Sequence, residues 1–246
     1  MKRLKLSAND GTPDFPVAVG IISAIIIFSF LIALAASRFP VISSEPVLAI
    51  IMGLFGTSLI TAVLLFYLFA RFRAFLVSIL REPHFPVVLK GLRIYLIFLP
   101  LLFFITMLSA VFFKSIGFEP RPQQVFAVYQ QADSFYVLFS MFFLSCIIAP
   151  FAEEVIFRGV IYTAFKERFP VPAAIIISSL LFALLHNEIF AFGSLFAFGV
   201  LLAYLFEKYD NLWLSVSVHF FNNLFANIAI LLFKYTDVMK VEEGFK

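Results

Sequence analysis

Seven stretches free of Asp, Glu, Lys and Arg divide this chain from end to end: 15–37, 46–70, 94–113, 134–152, 169–185, 189–206 and 211–233. A helix rising about 1.5 Å per residue needs roughly 20 apolar residues to cross about 30 Å of hydrocarbon. Most of these runs are long enough, and none alternates with the period of a strand. Of the 246 residues 63% are hydrophobic and 13% charged, against about 25% charged in soluble domains. The expected fold is therefore all-α, a polytopic transmembrane helix bundle of about seven to eight membrane helices. The two shortest runs, 169–185 and 189–206, are those expected to line a cavity. No interval between runs is long enough to house a separate soluble domain.

The chain divides by composition into amino-terminal membrane helices (1–130), a core that carries the polar membrane residues (131–234) and a polar tail (235–246). The opening "MKRLK" followed by an apolar stretch resembles a cleavable signal peptide. Polar "SANDGTPD" interrupts it, however, and the apolar run is too long for a signal core, so a retained first span is expected. With seven crossings, Lys2, Arg3, Lys5, Arg71, Arg73, Arg81, Lys90, Arg93, Lys166, Arg168 and Lys208 fall on one side. Arg38, Lys114, Arg121, Lys234, Lys240 and Lys246 fall on the other. The positive-inside rule then puts the amino terminus and the basic stretch 71–93 in the cytoplasm of a plasma membrane of bacterial type. That stretch interleaves bases with apolar residues and is read as a loop along the anionic inner leaflet. The net charge of +3 follows from this bias and does not point to nucleic acid. Cys146 is alone, so a disulfide framework is not expected.

The anomaly is "FAEEVIFRGV" at 151–160, two glutamates and an arginine where each ion costs roughly 2.5–3.5 kcal/mol at a helix centre. On a helix Glu154 and Arg158 are i, i+4 neighbours and can pair. Glu153 points about 100° away and is left over. Pro150 suits either a first turn or a kink in a helix continuing from residue 134. Glu153 lies 17 residues before Pro170 and His186 lies 16 after it. In a helical hairpin both sit roughly 24–25 Å from the turn, side by side. In the last span His219 and Asn223 share a face, with Asn222 adjacent, on the cytoplasmic half of the span. These could be interhelical hydrogen-bonding glue, worth about 0.6 kcal/mol on average.

One carboxylate, two imidazoles and an amide can also hydrolyse an amide bond. Glu153 could be general base on water with His186 sharing the proton, and His219 and Asn223 could donate to the developing oxyanion. The pair Glu154–Arg158 would hold the helix. The alternative is a zinc ion on Glu153, His186 and His219, although no HExxH is present.

These residues resemble the CAAX protease and bacteriocin-processing family of intramembrane proteases, the CAAX amino-terminal protease or Abi family. EExxxR is Glu153-Glu154-Val-Ile-Phe-Arg158, FxxxH runs from Phe182 to His186, and HxxxN runs from His219 to Asn223. The resemblance covers about 150–230. It implies an intramembrane endopeptidase acting on a peptide or protein that is membrane-embedded or lipidated, with Glu153 activating water and His186 as its partner. His219 and Asn223 would form the oxyanion side, with Glu154, Arg158, Phe182 and Asn222 in support. It favours a glutamate mechanism without cofactor over one using zinc or another divalent metal. Two other classes compete: a non-catalytic immunity or scaffold protein, and a proton-coupled transporter. A transporter predicts inverted repeats in both halves, whereas the polar membrane residues here lie only in the second.

Overall fold

The computed structural model describes residues 11–38, 46–80, 85–118, 126, 129–130, 132 and 134–243. Lys2, Arg3, Lys5, Arg81, Arg121 and Lys246, used above for orientation, lie outside the described residues. The chain forms a bundle of α1 (Phe15–Arg38), α2 (Pro46–Ile79), α3 (Phe85–Ser115), α4 (Phe135–Lys166), α5 (Val171–Leu185), α6 (Phe192–Tyr209) and α7 (Leu212–Glu243). No strand occurs among the described residues. Among the described residues five helices are long and apolar enough to cross a membrane, and Phe15–Leu31 and Val171–Leu185 are shorter apolar helices. The protein is an integral, multi-pass membrane protein of all-α class. The last helix continues to Glu243, through most of the polar tail.

Elements expected on one side of the membrane meet at one end of the bundle. The Arg168 guanidinium lies 4.7 Å from the centroid of the Phe15 ring, and Thr12 Oγ1 donates to Glu167 at 3.0 Å. Lys90 Nζ sits 3.3 Å from the centroid of Tyr209. The start of α1, the start of α3 and the ends of α4 and α6 therefore share a face.

The basic stretch 71–93 is mostly helical rather than a loop. Helix α2 kinks at Phe72 (φ −125°, ψ 31°) and runs on to Ile79. Phe72, Phe75, Leu76 and Ile79 are buried at the i, i+3, i+4, i+7 spacing of one helix face. Leu76 and Ile79 press on α4, and a Cβ added to Gly159 would lie 3.2 Å from Ile79 Cδ1. That face of the stretch packs into the protein interior, while Val77, Phe85 and Leu89 remain exposed.

Small residues set the tightest helix contacts. A Cβ on Gly91 would lie 2.6 Å from Ser217 Cβ and 3.3 Å from its backbone carbon, where α3 meets α7. One on Gly199 would lie 3.0 Å from Ser179 Cβ, where α6 meets α5. Small residues of this kind let membrane helices approach where no hydrophobic force draws them together. Gly91→Ala is expected to destabilise by about 1–3 kcal/mol through overpacking, read as a lower midpoint of thermal unfolding in detergent.

Helix α5 has 15 residues and spans only about 22 Å. It ends on His186, and Asn187 turns the chain with φ 53°, a left-handed conformation that asparagine tolerates better than most residues. A 3₁₀ turn (Ile189–Ala191) then leads into α6.

Candidate active site

Helix α4 is not a uniform α-helix. Two π-helical stretches, Leu144–Ile148 and Val155–Tyr162, interrupt it on either side of Ala149–Glu154. Pro150 lacks the N–H that an α-helix would use, and its ring crowds the preceding turn, so a wider turn just before it relieves both. The helix therefore continues from Phe135 through Pro150 instead of starting there. π-Segments recur at functional sites, and this pair brackets the two glutamates.

Arg158 and Glu154 pair as expected, Nη1 to Oε1 at 2.8 Å, with exposures of 2% and 0% respectively. The guanidinium also donates Nη2 to the Gly199 carbonyl at 3.1 Å, tying α4 to α6. Its carbon lies 4.6 Å from the centroid of the buried Phe182 ring. Glu154 has a second partner that spacing did not reveal: His219 Nδ1, at 2.9 Å from Oε1.

Glu153 Oε2 lies 3.5 Å from His186 Nε2 and 3.8 Å from His219 Nε2, with no hydrogen-bond donor among the described residues. The tautomers follow from what each Nδ1 faces. His186 Nδ1 is 2.7 Å from the Phe182 carbonyl, which can only accept, so Nδ1 carries a proton there. His219 Nδ1 faces a carboxylate oxygen and donates as well. Each neutral ring then turns the lone pair of Nε2 toward Glu153. Three acceptors converge on one point. Such a point suits a species that donates hydrogen bonds, such as a water molecule, or a proton shared among them.

Phe182 fixes both rings, with centroids 4.3 Å from His186 and 5.9 Å from His219. Phe198 meets His219 edge-on at 5.4 Å. Asn223 is held by its own contacts: one N–H donates to the Ser145 carbonyl at 2.8 Å, within the first π-stretch. Its Oδ1 accepts from Asn222 at 3.1 Å, so the second N–H of Asn223 is the group left to serve a ligand. Asn222 supports Asn223 and has no contact with either glutamate among those described.

A zinc ion would call on Glu153, His186 and His219. A tetrahedral site with bonds of about 2.0–2.1 Å has edges of roughly 3.3–3.5 Å, and the Glu153–His219 edge is open to 3.8 Å. No group of three or more His, Cys, Asp or Glu among the described residues is arranged to hold a metal.

The glutamates, both histidines and the asparagine pair all lie on α4, α5 and α7 within residues 135–225, and that span matches the family model described as type II CAAX prenyl endopeptidase Rce1-like. Residues 135–225 are similar to that family. Over 91 residues the chain is 31% identical to a Bacillus subtilis (strain 168) protein named "Putative membrane peptidase YdiL". The match takes in 37% of this chain and 37% of that relative. No solved structure matches the chain. The Rce1-like segment contains every motif residue named from the sequence and leaves α1–α3 outside it.

Ser145, Tyr129 and Asn227 were not singled out from the sequence. Tyr129 donates through its hydroxyl to Asn227 Oδ1. Ser145 Oγ lies 3.2 Å from the same oxygen, and Asn227 Nδ2 donates to the Asn223 carbonyl at 2.7 Å. Asn227 follows Asn223 by one helical turn, a spacing that could have flagged it.

Proposed function

We propose that this protein is an intramembrane endopeptidase that hydrolyses a peptide bond of a membrane-embedded or lipidated substrate with a glutamate-activated water. The observation that carries this reading is the convergence of Glu153 Oε2 and two imidazole Nε2 atoms, 3.5 and 3.8 Å away, inside a Rce1-like segment.

In this reading Glu153 takes a proton from water as the water oxygen bonds to the carbonyl carbon. His186 Nε2 faces the same carboxylate and shares that proton. The oxyanion so formed accepts from the second N–H of Asn223, and from His219 Nε2 when that ring carries a proton. Glu154, on the far side of the His219 ring, stabilises the imidazolium, as a carboxylate behind an imidazole does in hydrolytic triads. Collapse breaks the C–N bond, and the proton held between Glu153 and His186 passes to the leaving nitrogen. No step is routed through a metal. The cluster of basic residues at the end of the bundle where α1 begins supports a cytoplasmic placement for that end.

The test is cleavage of a membrane-spanning reporter peptide by the purified protein in bilayers. Wild type is expected to cleave with a divalent-metal chelator present, and His186→Ala to lose about 10²–10⁴-fold in rate, the range for a proton-transferring side chain. Loss of wild-type activity in chelator, with restoration by one ion per chain, would replace the glutamate mechanism by a metal one. Equal rates for wild type and His186→Ala would remove His186 from the chemistry.

A further inference from the structure

The hydrogen bonds behind Asn223 reach beyond the Rce1-like segment. Asn227 lies on α7 one turn past Asn223, and Tyr129 precedes α4; neither falls within 135–225. Asn227 is 5% exposed and Tyr129 fully buried. The orientation of the Asn227 amide is set by its neighbours. Its Nδ2 faces the Asn223 carbonyl at 2.7 Å, and a flipped amide would set two oxygens against each other there. Oδ1 is therefore the atom that receives the Tyr129 hydroxyl and lies 3.2 Å from Ser145 Oγ. Ser145 in turn presents its carbonyl to Asn223 Nδ2 at 2.8 Å. Lys234, one further stretch along α7, donates to the Tyr129 carbonyl at 3.0 Å and to that of Ala132, fixing the Tyr129 backbone. The result is a closed circuit, Asn227–Ser145–Asn223, to which Tyr129 is joined through Asn227, and in it Asn223 is held through both its backbone carbonyl and its carboxamide.

We propose that Asn227 and Tyr129 are positioning residues for the hydrolytic reaction: they pin Ser145 and the Asn223 backbone so that the second N–H of Asn223 is aimed at the oxyanion. The proposal rests on the endopeptidase reading above. A buried amide network with each member satisfied holds one orientation, whereas a network missing one member allows several. Aim matters because an oxyanion donor acts through its placement before reaction begins, and outer residues of this kind typically account for about 10–100-fold in activity.

The experiment is steady-state cleavage of the reporter by full-length protein in bilayers, with wild type, Asn227→Leu, Asn227→Asp, Tyr129→Phe, Asn223→Ala and Asn223→Ala combined with Asn227→Leu. Asn227→Leu and Asn227→Asp are expected to lower kcat by about 10–100-fold with KM within about twofold. Tyr129→Phe, which keeps the ring and removes one donor, is expected to lower kcat less. The deciding measurement is the double variant: Asn227→Leu should have no further effect on kcat once Asn223 is alanine, because its contribution passes through that amide. Multiplying losses in the double variant, or a lowered unfolding midpoint with kcat unchanged, would make the network merely structural and overturn the proposal. A Glu153→Ala protein that cleaves as fast as wild type would instead remove the hydrolytic reading, and this proposal with it.

Discussion

Glu153→Gln is expected to reduce cleavage about 10²–10⁴-fold, the contribution of a positioned general base, with substrate affinity little changed. The substitution keeps the volume and one acceptor oxygen of the side chain but cannot take a proton from water. It also places two N–H donors where Nε2 of His186 and of His219 present lone pairs, at 3.5 and 3.8 Å. The fold should therefore tolerate it well. Initial rates on the reporter peptide, together with the unfolding midpoint, separate the two effects. A Gln variant that retains more than about a tenth of wild-type kcat would mean that another group activates the water.

Arg158→Leu is expected to be the most destabilising single change in the core, by about 3–5 kcal/mol. Arg158 and Glu154 are 2% and 0% exposed, so water cannot screen what is left behind. Without the guanidinium, buried Glu154 is left beside the partly exposed Glu153 with no cation between them, and α4 loses its bond to the Gly199 carbonyl. Arg158→Lys should recover only part of the loss, because an ammonium cannot span Glu154 and Gly199 with two separate donors. Adding Glu154→Gln to Arg158→Leu should restore much of the stability by removing the orphaned charge, at the expense of the His219 contact. Thermal unfolding in detergent measures all three. A loss under about 1 kcal/mol for Arg158→Leu would show the pair to be incidental to the fold.

The number and order of the helices are legible in the charge-free runs, and the shortness of 169–185 marks the helix that ends on His186. The Glu153–His186 contact is legible too, because residues at matched distances from a proline turn come level in a hairpin. His219 is harder to place. A constant rise of about 1.5 Å per residue sets it lower than Glu153 if the two turns lie level, but Tyr162 meets Glu207 at the end of α6, so α4 projects past that turn and Glu153 comes level with His219. Apart from Pro150, no residue type announces a π-stretch. The Glu154–His219 contact is hidden for the same reason. The stretch 71–93 misleads in another way: its bases are read as a membrane-surface signal, while Phe72, Phe75, Leu76 and Ile79 carry the face that packs inside. Tyr129, Ser145 and Asn227 look ordinary in sequence because their value lies in whom they meet across the bundle.

The bulged turns of α4 make its length matter in a way that its side chains do not. A π-stretch can be regarded as an α-helix with a residue too many, so removing one between 155 and 162 would let the helix relax into regular winding. Everything upstream would then swing by about 100° relative to the end carrying Lys166, and both acids would leave the imidazoles without any of them having been substituted. Descendants of such a chain are free to exchange one apolar residue for another along this helix. They are not free to gain or lose one.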